Sequence, residues 1–226
     1  MSRDSDDAAS AEPGVTAEPA EILREYGPFP GTPAVHGVSY DGARVWFATS
    51  GQLHAVDPDS GSIVRTLDVA ADAGTAFDGR HLFQIANDEI HKIDPDTGAV
   101  LLRIPAPSRG HNSGLAWADG TLWVGQYHDR RIYQIDPETG AILRTLESNR
   151  FVTGVTWVDG ELWHGTMEND ESELRRVDPG TGEVRARLAM PRGALVSGVE
   201  SDGGDRLFCG GAHSGKLRAV RRPRRR

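Results

Sequence analysis

The chain has a single cysteine, Cys209, so it forms no internal disulfide and nothing in it points to an oxidising compartment. No apolar run approaches the roughly 20 residues that a membrane helix needs. The short signatures that announce one chemistry are missing as well. There is no HExxH, no CxxC pair, no glycine-rich phosphate loop and no GxSxG. Aromatic residues make up 7% of the 226. The opening "MSRDSDDAASAEPGVTAEP" lacks a basic start followed by an apolar stretch, so it does not read as a secretory signal, and a cytoplasmic location is expected. Its acid, Ser, Ala and Pro content reads as a disordered acidic tail over residues 1–19.

Positive charge is concentrated at one end. The net charge is −8, yet the last six residues, "RRPRRR", hold five arginines, so the rest of the chain is more negative still. Such a body repels phosphate backbones, and no nucleic-acid or membrane partner is expected. Residues 221–226 read as a solvated basic tail that keeps the chain soluble or pairs with acidic turns.

What the chain does have is repetition. "RIYQIDPETGAILRTL" (131–146) recurs as "QLHAVDPDSGSIVRTL" (52–67), "EIHKIDPDTGAVLLRI" (89–104) and "ELRRVDPGTGEVRARL" (173–188). A second landmark is a glycine, a short apolar stretch, Asp-Gly and an aromatic or apolar run: "GVSYDGARVWF" (37–47), "GTAFDGRHLFQ" (74–84), "GLAWADGTLWV" (114–124), "GVTWVDGELWH" (154–164) and "GVESDGGDRLFC" (198–209). The leading glycines step by 37, 40, 40 and 44 residues, giving five repeats of the length of one four-stranded propeller blade.

Each repeat reads as four short strands, A to D, from the axis outwards. Asp-Gly joins A to B as a tight hairpin. Asp-Pro-x-Ser/Thr-Gly joins C to D: Asp opens the turn, Pro presets φ and Gly140 takes a left-handed position. These aspartates have a sufficient structural role, and one turn offers too few oxygens for calcium. All five tryptophans fall in A or B strands, where they pack blade on blade. Repeat five stops after "KLRAV" (216–220) without a strand D, while "AEILREYGPFPGTPAVHGVSYDG" (20–42) parallels "GAILRTLESNRFVTGVTWVDG" (140–160). The expected fold is therefore an all-β, five-bladed β-propeller over residues 20–220, its last blade closed by Ile22–Tyr26, which covers an open edge.

The A–B and C–D turns share one face and repeat. The D–A and B–C connections share the other face and differ in every blade, which is where a rigid scaffold carries its binding residues. His36, His111, His128 and His213 lie in or beside these variable loops, with Tyr127 in one of them and His164 within a strand B. Asp72, Glu168 and Glu200 are nearby acids, and His36, Asn112, Thr153 and Ser197 stand at the axial end of strand A. A small-molecule ligand is expected here. His36, His111, Tyr127, His164 and Glu168 are the candidate catalytic groups, with Asp72, Asn112, His128, Glu200 and His213 as candidate substrate-binding groups. Two chemistries stay open: a His or Glu base with a Tyr or second His as acid, or a divalent metal held by His36 and His111. Cys209 reads as a small buried residue.

The stretch "GLAWADGTLWVGQYHDRRIYQIDPETGAILRTL" (114–146) resembles two groups of bacterial propellers. One is the five-bladed glutaminyl cyclase (glutamine cyclotransferase) group, through its "DG-x-LW" and "R-I-x-x-I-D-P-x-T-G" elements. The other is the seven-bladed virginiamycin B lyase type. The resemblance implies a lyase or cyclotransferase acting on a small molecule. The "TQGL"-like segment of the cyclases is "VHGV" (35–38) here, and no catalytic residue is carried over. A propeller that only binds a ligand or partner protein on the same face is the other reading.

Overall fold

The computed structural model describes residues 15–224, so most of the expected acidic tail and the last two arginines lie outside the described residues. Five sheets of antiparallel strands form the five blades of a propeller, and no helix occurs among the described residues. Blade one is built from Val38–Tyr40, Val45–Thr49, Gln52–Val56 and Ile63–Leu67, and blade two from Thr75–Phe77, Leu82–Ala86, Glu89–Ile93 and Val100–Pro105. Blade three follows with Asn112–Ala118, Thr121–Gln126, Arg131–Ile135 and Ile142–Glu147. Blade four comprises Val152–Val158, Glu161–Glu168, Glu171–Val177 and Val184–Ala189. Blade five has only Gly198–Ser201, Arg206–Gly210 and Leu217–Arg221 from its own repeat; Ile22–Tyr26 pairs antiparallel with Leu217–Arg221 as its outer strand.

The turns follow two local chemistries. In blades three and four both residues of Asp119-Gly120 and Asp159-Gly160 have positive φ, the geometry of a two-residue hairpin whose twist matches its strands. In blades one, two and five the aspartate opens a longer turn. Asp41 Oδ1 accepts the Ala43 and Arg44 N–H groups, and Asp78 and Asp202 do the same in their blades. In the C–D turns Asp57, Asp94, Asp136 and Asp178 each accept two backbone N–H groups. Those donors hold Asp57, Asp94 and Asp178 below the usual carboxylate range.

Two inter-blade devices join the blades. Around the axis, the glycine that opens each strand A abuts the backbone of the next blade. A Cβ on Gly37 would overlap the Ala73 carbonyl oxygen, and the same relation runs from Gly74 to Gly114, Gly114 to Gly154, Gly154 to Gly198, and Gly198 back to Gly37. Farther out, strand B aromatics stack on strand A aromatics of the following blade: Phe83 on Trp117 at 5.4 Å, Trp123 on Trp157 at 5.9 Å, and Phe208 on Tyr40 at 5.7 Å between the last blade and the first. The glycine series closes after five steps, and the aromatic contacts occupy three of the five junctions.

The closing strand is fastened by charge as well as by the ladder. Glu25 pairs with Lys216 at 3.0 Å and with the buried Arg218 at 2.8 Å, and Tyr26 donates its hydroxyl to the Pro58 carbonyl at 3.1 Å. One boundary differs from the sequence reading. Ala17–Pro19, assigned above to the tail, is a strand that pairs parallel with Arg187–Ala189 and gives blade four a fifth strand. A segment of low apolar content is ordered here because the outer edge of blade four supplies its hydrogen-bond partners. The basic end behaves likewise: Arg221 pairs with Glu21 and Asp205, and Arg222 with Asp159. No helix among the described residues is long and apolar enough to cross a membrane.

Candidate functional site

All five blades contribute to a cavity of about 250 Å³ at the mouth of the channel. Blade one supplies His36 and blade two Asp72; blade three supplies His111, Asn112, Ser113 and Tyr127. Thr153 and Met167 come from blade four and Ser197 from blade five. The positions follow from the strand pattern: these are the residues just before the ring glycines, with Tyr127 and Met167 reaching in from the B–C side. Two hydroxyls act as inter-blade ties, Ser113 to the Val152 carbonyl at 2.6 Å and Ser197 to the Val35 carbonyl. The Thr153 hydroxyl, buried beside them, has no partner.

Burial holds His36 below the ordinary histidine value; His213 adds to the effect and Asp72 opposes it. His36 is therefore neutral at pH 7. Burial pushes Tyr127 above the ordinary phenol value, and the Glu168 carboxylate pushes the same way, so the hydroxyl stays protonated. The Tyr127 ring stacks on Phe151 at 4.8 Å. His128 is exposed, edge-on to His111 at 4.3 Å and to Tyr127 at 5.1 Å. Asp72 accepts the Asn87 N–H at 2.8 Å. Asn112 is engaged within its own loop, donating to the Ser108 carbonyl at 2.7 Å and accepting from its hydroxyl.

Five expected site residues do not line the cavity: His128, exposed beside His111 and Tyr127, and the four that follow. His164 is fully buried between blades three and four, beside a void of about 30 Å³ also lined by Asn149 and Arg175, which is room for a water and nothing larger. Burial, reinforced by Arg175, takes its pKa down to about 4. Glu168 is clamped by Arg150 at 2.6 Å and Arg130 at 3.2 Å. His213 is exposed on the B–C loop of blade five and acts on His36 only through its charge. Glu200 lies two residues beyond ring glycine Gly198, past the cavity, where it accepts from the Thr156 hydroxyl at 2.5 Å and the Ser201 N–H at 2.8 Å. Its axial place was legible in the repeat; its depth was not, because depth depends on where the ring pinches.

The buried setting raises Glu200 to about 8, against 4.5 for an ordinary glutamate. The folded chain then holds a proton that the unfolded chain releases above pH 4.5, so stability falls as pH rises from about 4.5 to about 8. The side chain keeps partial access to water, which moderates the effect. Glu200→Gln is expected to flatten this decline and to exceed the parent by about 2 kcal/mol at pH 8.5. Urea midpoints at pH 5 and 8.5 check it; an equal decline in both proteins refutes it.

The metal reading fails on the donor set. His36 and His111 line one cavity, but among the described residues no three His, Cys, Asp or Glu side chains converge, and a catalytic site takes about three protein ligands. Cys209 is buried, and its thiol is pushed up to about 12, which fits a packing residue.

With its five blades closed into a ring, the molecule is a five-bladed β-propeller with a cavity at the variable-loop mouth. Among solved structures it is similar to Myxococcus xanthus glutaminyl cyclase, with 17% identity over 92% of this chain and 98% of that one and a TM-score of 0.76. It is also similar to virginiamycin B lyase from Staphylococcus aureus, with 15% identity over 88% of this chain and 69% of that one and a TM-score of 0.52. The WD40 propeller domain of Doa1 gives 18% identity over 83% of this chain and 63% of that one, with a TM-score of 0.53. At such identities the likeness is one of fold. The family model of outer membrane protein assembly factor BamB matches residues 49–158. No curated protein sequence matches the chain.

Proposed function

We propose that the protein is a small-molecule enzyme of lyase or cyclotransferase type, working at the channel mouth with His36 as general base and Tyr127 as general acid. One observation carries the reading: a single open cavity has on its wall an imidazole kept neutral and a phenol kept protonated, brought there by different blades. Each group is in the state its role requires at neutral pH. In a cyclotransfer on an N-terminal glutaminyl group, the α-amine attacks the side-chain amide carbon. His36 takes the amine proton, Tyr127 gives its proton to the leaving nitrogen, and ammonia departs. The likeness to the cyclase and lyase folds supports this choice of chemistry.

Ammonia release from a glutaminyl dipeptide, with virginiamycin B as the second substrate class, tests it. His36→Ala and Tyr127→Phe are each expected to lower kcat/KM by about 100-fold or more. Because His36 titrates low, the acid limb of the pH profile should fall below pH 6.5. A limb above 6.5, or full activity in His36→Ala, overturns the assignment.

The second reading is a propeller that binds a ligand at this mouth without turning it over. It is favoured by the cavity wall, which holds no glutamate among the described residues: Glu168 is ion-paired beside it and Glu200 is not part of its lining. Binding at this cavity that stabilises the protein equally with and without Tyr127→Phe, and no turnover of either substrate class, selects it.

A further inference from the structure

Blade four carries the longest B–C hairpin of the five, Glu161–Glu168 with Glu171–Val177, and its tip brings Met167 into the cavity and Glu168 beside it. Glu168 is largely buried and reaches two arginines from different elements: Arg150 in the D–A loop leading into blade four, and Arg130 in the B–C loop of blade three. The Arg130 guanidinium lies over the Phe151 ring, 4.4 Å from its centroid. Phe151 also stacks on Tyr127, with the rings 18° from parallel. Arg130 and Tyr127 thus both pack on Phe151 in one stack, and Arg130 is held by Glu168 at 3.2 Å and by a second tie to the Asn149 carbonyl at 3.2 Å.

We propose that Glu168 is a positioning residue: its carboxylate ties the hairpin of blade four to the Arg130–Phe151–Tyr127 stack of blade three and so fixes the Tyr127 hydroxyl at the cavity. This rests on the reading of the mouth as the site, but the arrangement is testable without any substrate. Sequence reading takes Glu168 for a reacting acid. The structure gives Oε2 a hydrogen bond from Arg150 at 2.6 Å and sets Oε1 3.2 Å from Arg130 as an ion pair, and the residue does not line the cavity. Its charge instead acts on Tyr127, whose protonated state it favours.

The charged and titratable groups around the Tyr127 ring are Glu168 from the hairpin, Arg130 and His128 from its own loop, and His111 from the loop before blade three. Removing the carboxylate leaves Arg130 and Arg150 without their counter-charge. Phenolate absorbance at 295 nm, with the Tyr127→Phe protein subtracted, isolates the Tyr127 titration. In Glu168→Gln the midpoint is expected to fall from its raised value while staying above the ordinary tyrosine value of about 10, because the carboxylate's charge is removed and the burial remains. In Glu168→Asp, which keeps the charge, it should stay closer to the parent value. A purely structural role, in which the loop loosens and wets, brings both variants to about 10 and overturns the proposal. An unchanged midpoint in Glu168→Gln overturns it equally. Loss of turnover has no bearing on this readout, so failure of the enzyme reading and failure of the positioning role are told apart.

Discussion

Gly114→Ala is expected to destabilise the protein by at least about 3 kcal/mol, a larger effect than overpacking usually has. A Cβ at this position would stand 2.5 Å from the Val155 nitrogen and 2.7 Å from the Gly154 carbonyl carbon. Both are backbone atoms of the neighbouring blade, so no side chain can swing away. Relief requires blade four to move outwards, and in a closed ring that shift passes to Gly154 and Gly198 in turn. For a domain of this size such a loss lowers Tm by about 6–12 °C. Thermal melts followed by circular dichroism check it. As a control, Gly120→Ala meets no atom within 4 Å and is strained only through its φ of 79°. A Gly114→Ala protein that melts no lower than that control would show that the ring is looser than described.

Removing residues 1–26 is expected to abolish cooperative folding. The deletion takes the outer strand of blade five and the strand added to blade four. It leaves Arg218, 4% exposed, without Glu25. Stranding a buried charge costs about 3–5 kcal/mol, and the lost burial of Tyr26 adds about 1.5–3. A domain of this kind has about 5–15 kcal/mol in total. The truncated chain should aggregate or give a broad, non-cooperative melt. Adding a peptide of residues 15–26 in trans should restore part of the transition, because the edge it fills is specific. A truncated protein with an unchanged sharp melt would overturn the closure described here.

The site was less legible than the frame for a physical reason. A turn such as Asp136-Pro137-Glu138-Thr139-Gly140 needs only its own residues: Asp136 caps the backbone N–H groups of Glu138 and Thr139, and Gly140 takes a φ of 75°. Local chemistry of that kind repeats visibly. The convergence of His36, Asp72, His111 and Tyr127 on one cavity depends on where three blades stand around an axis, although the glycine landmark hinted at it. Nothing local marked Glu168 as a clamped ion, since Arg130 and Arg150 are 38 and 18 residues away in sequence. The one local cue was the extra length of repeat four, whose glycine step to the next repeat is the longest of the series at 44 residues. His164 misled because strand B positions face neighbouring blades, and an imidazole there is buried by packing.

The sequence by itself determined the repeat, its strands and turns, the count of five and the closing of the last blade by Ile22–Tyr26. Each of these rests on residue types acting over a few positions, multiplied by periodicity. Only the tertiary structure decided which polar groups face the cavity, which are held by arginines and which are cut off beyond the ring of glycines. Those outcomes depend on distances between blades, and the charge state of His36, Tyr127 and Glu200 follows from the burial that those distances impose.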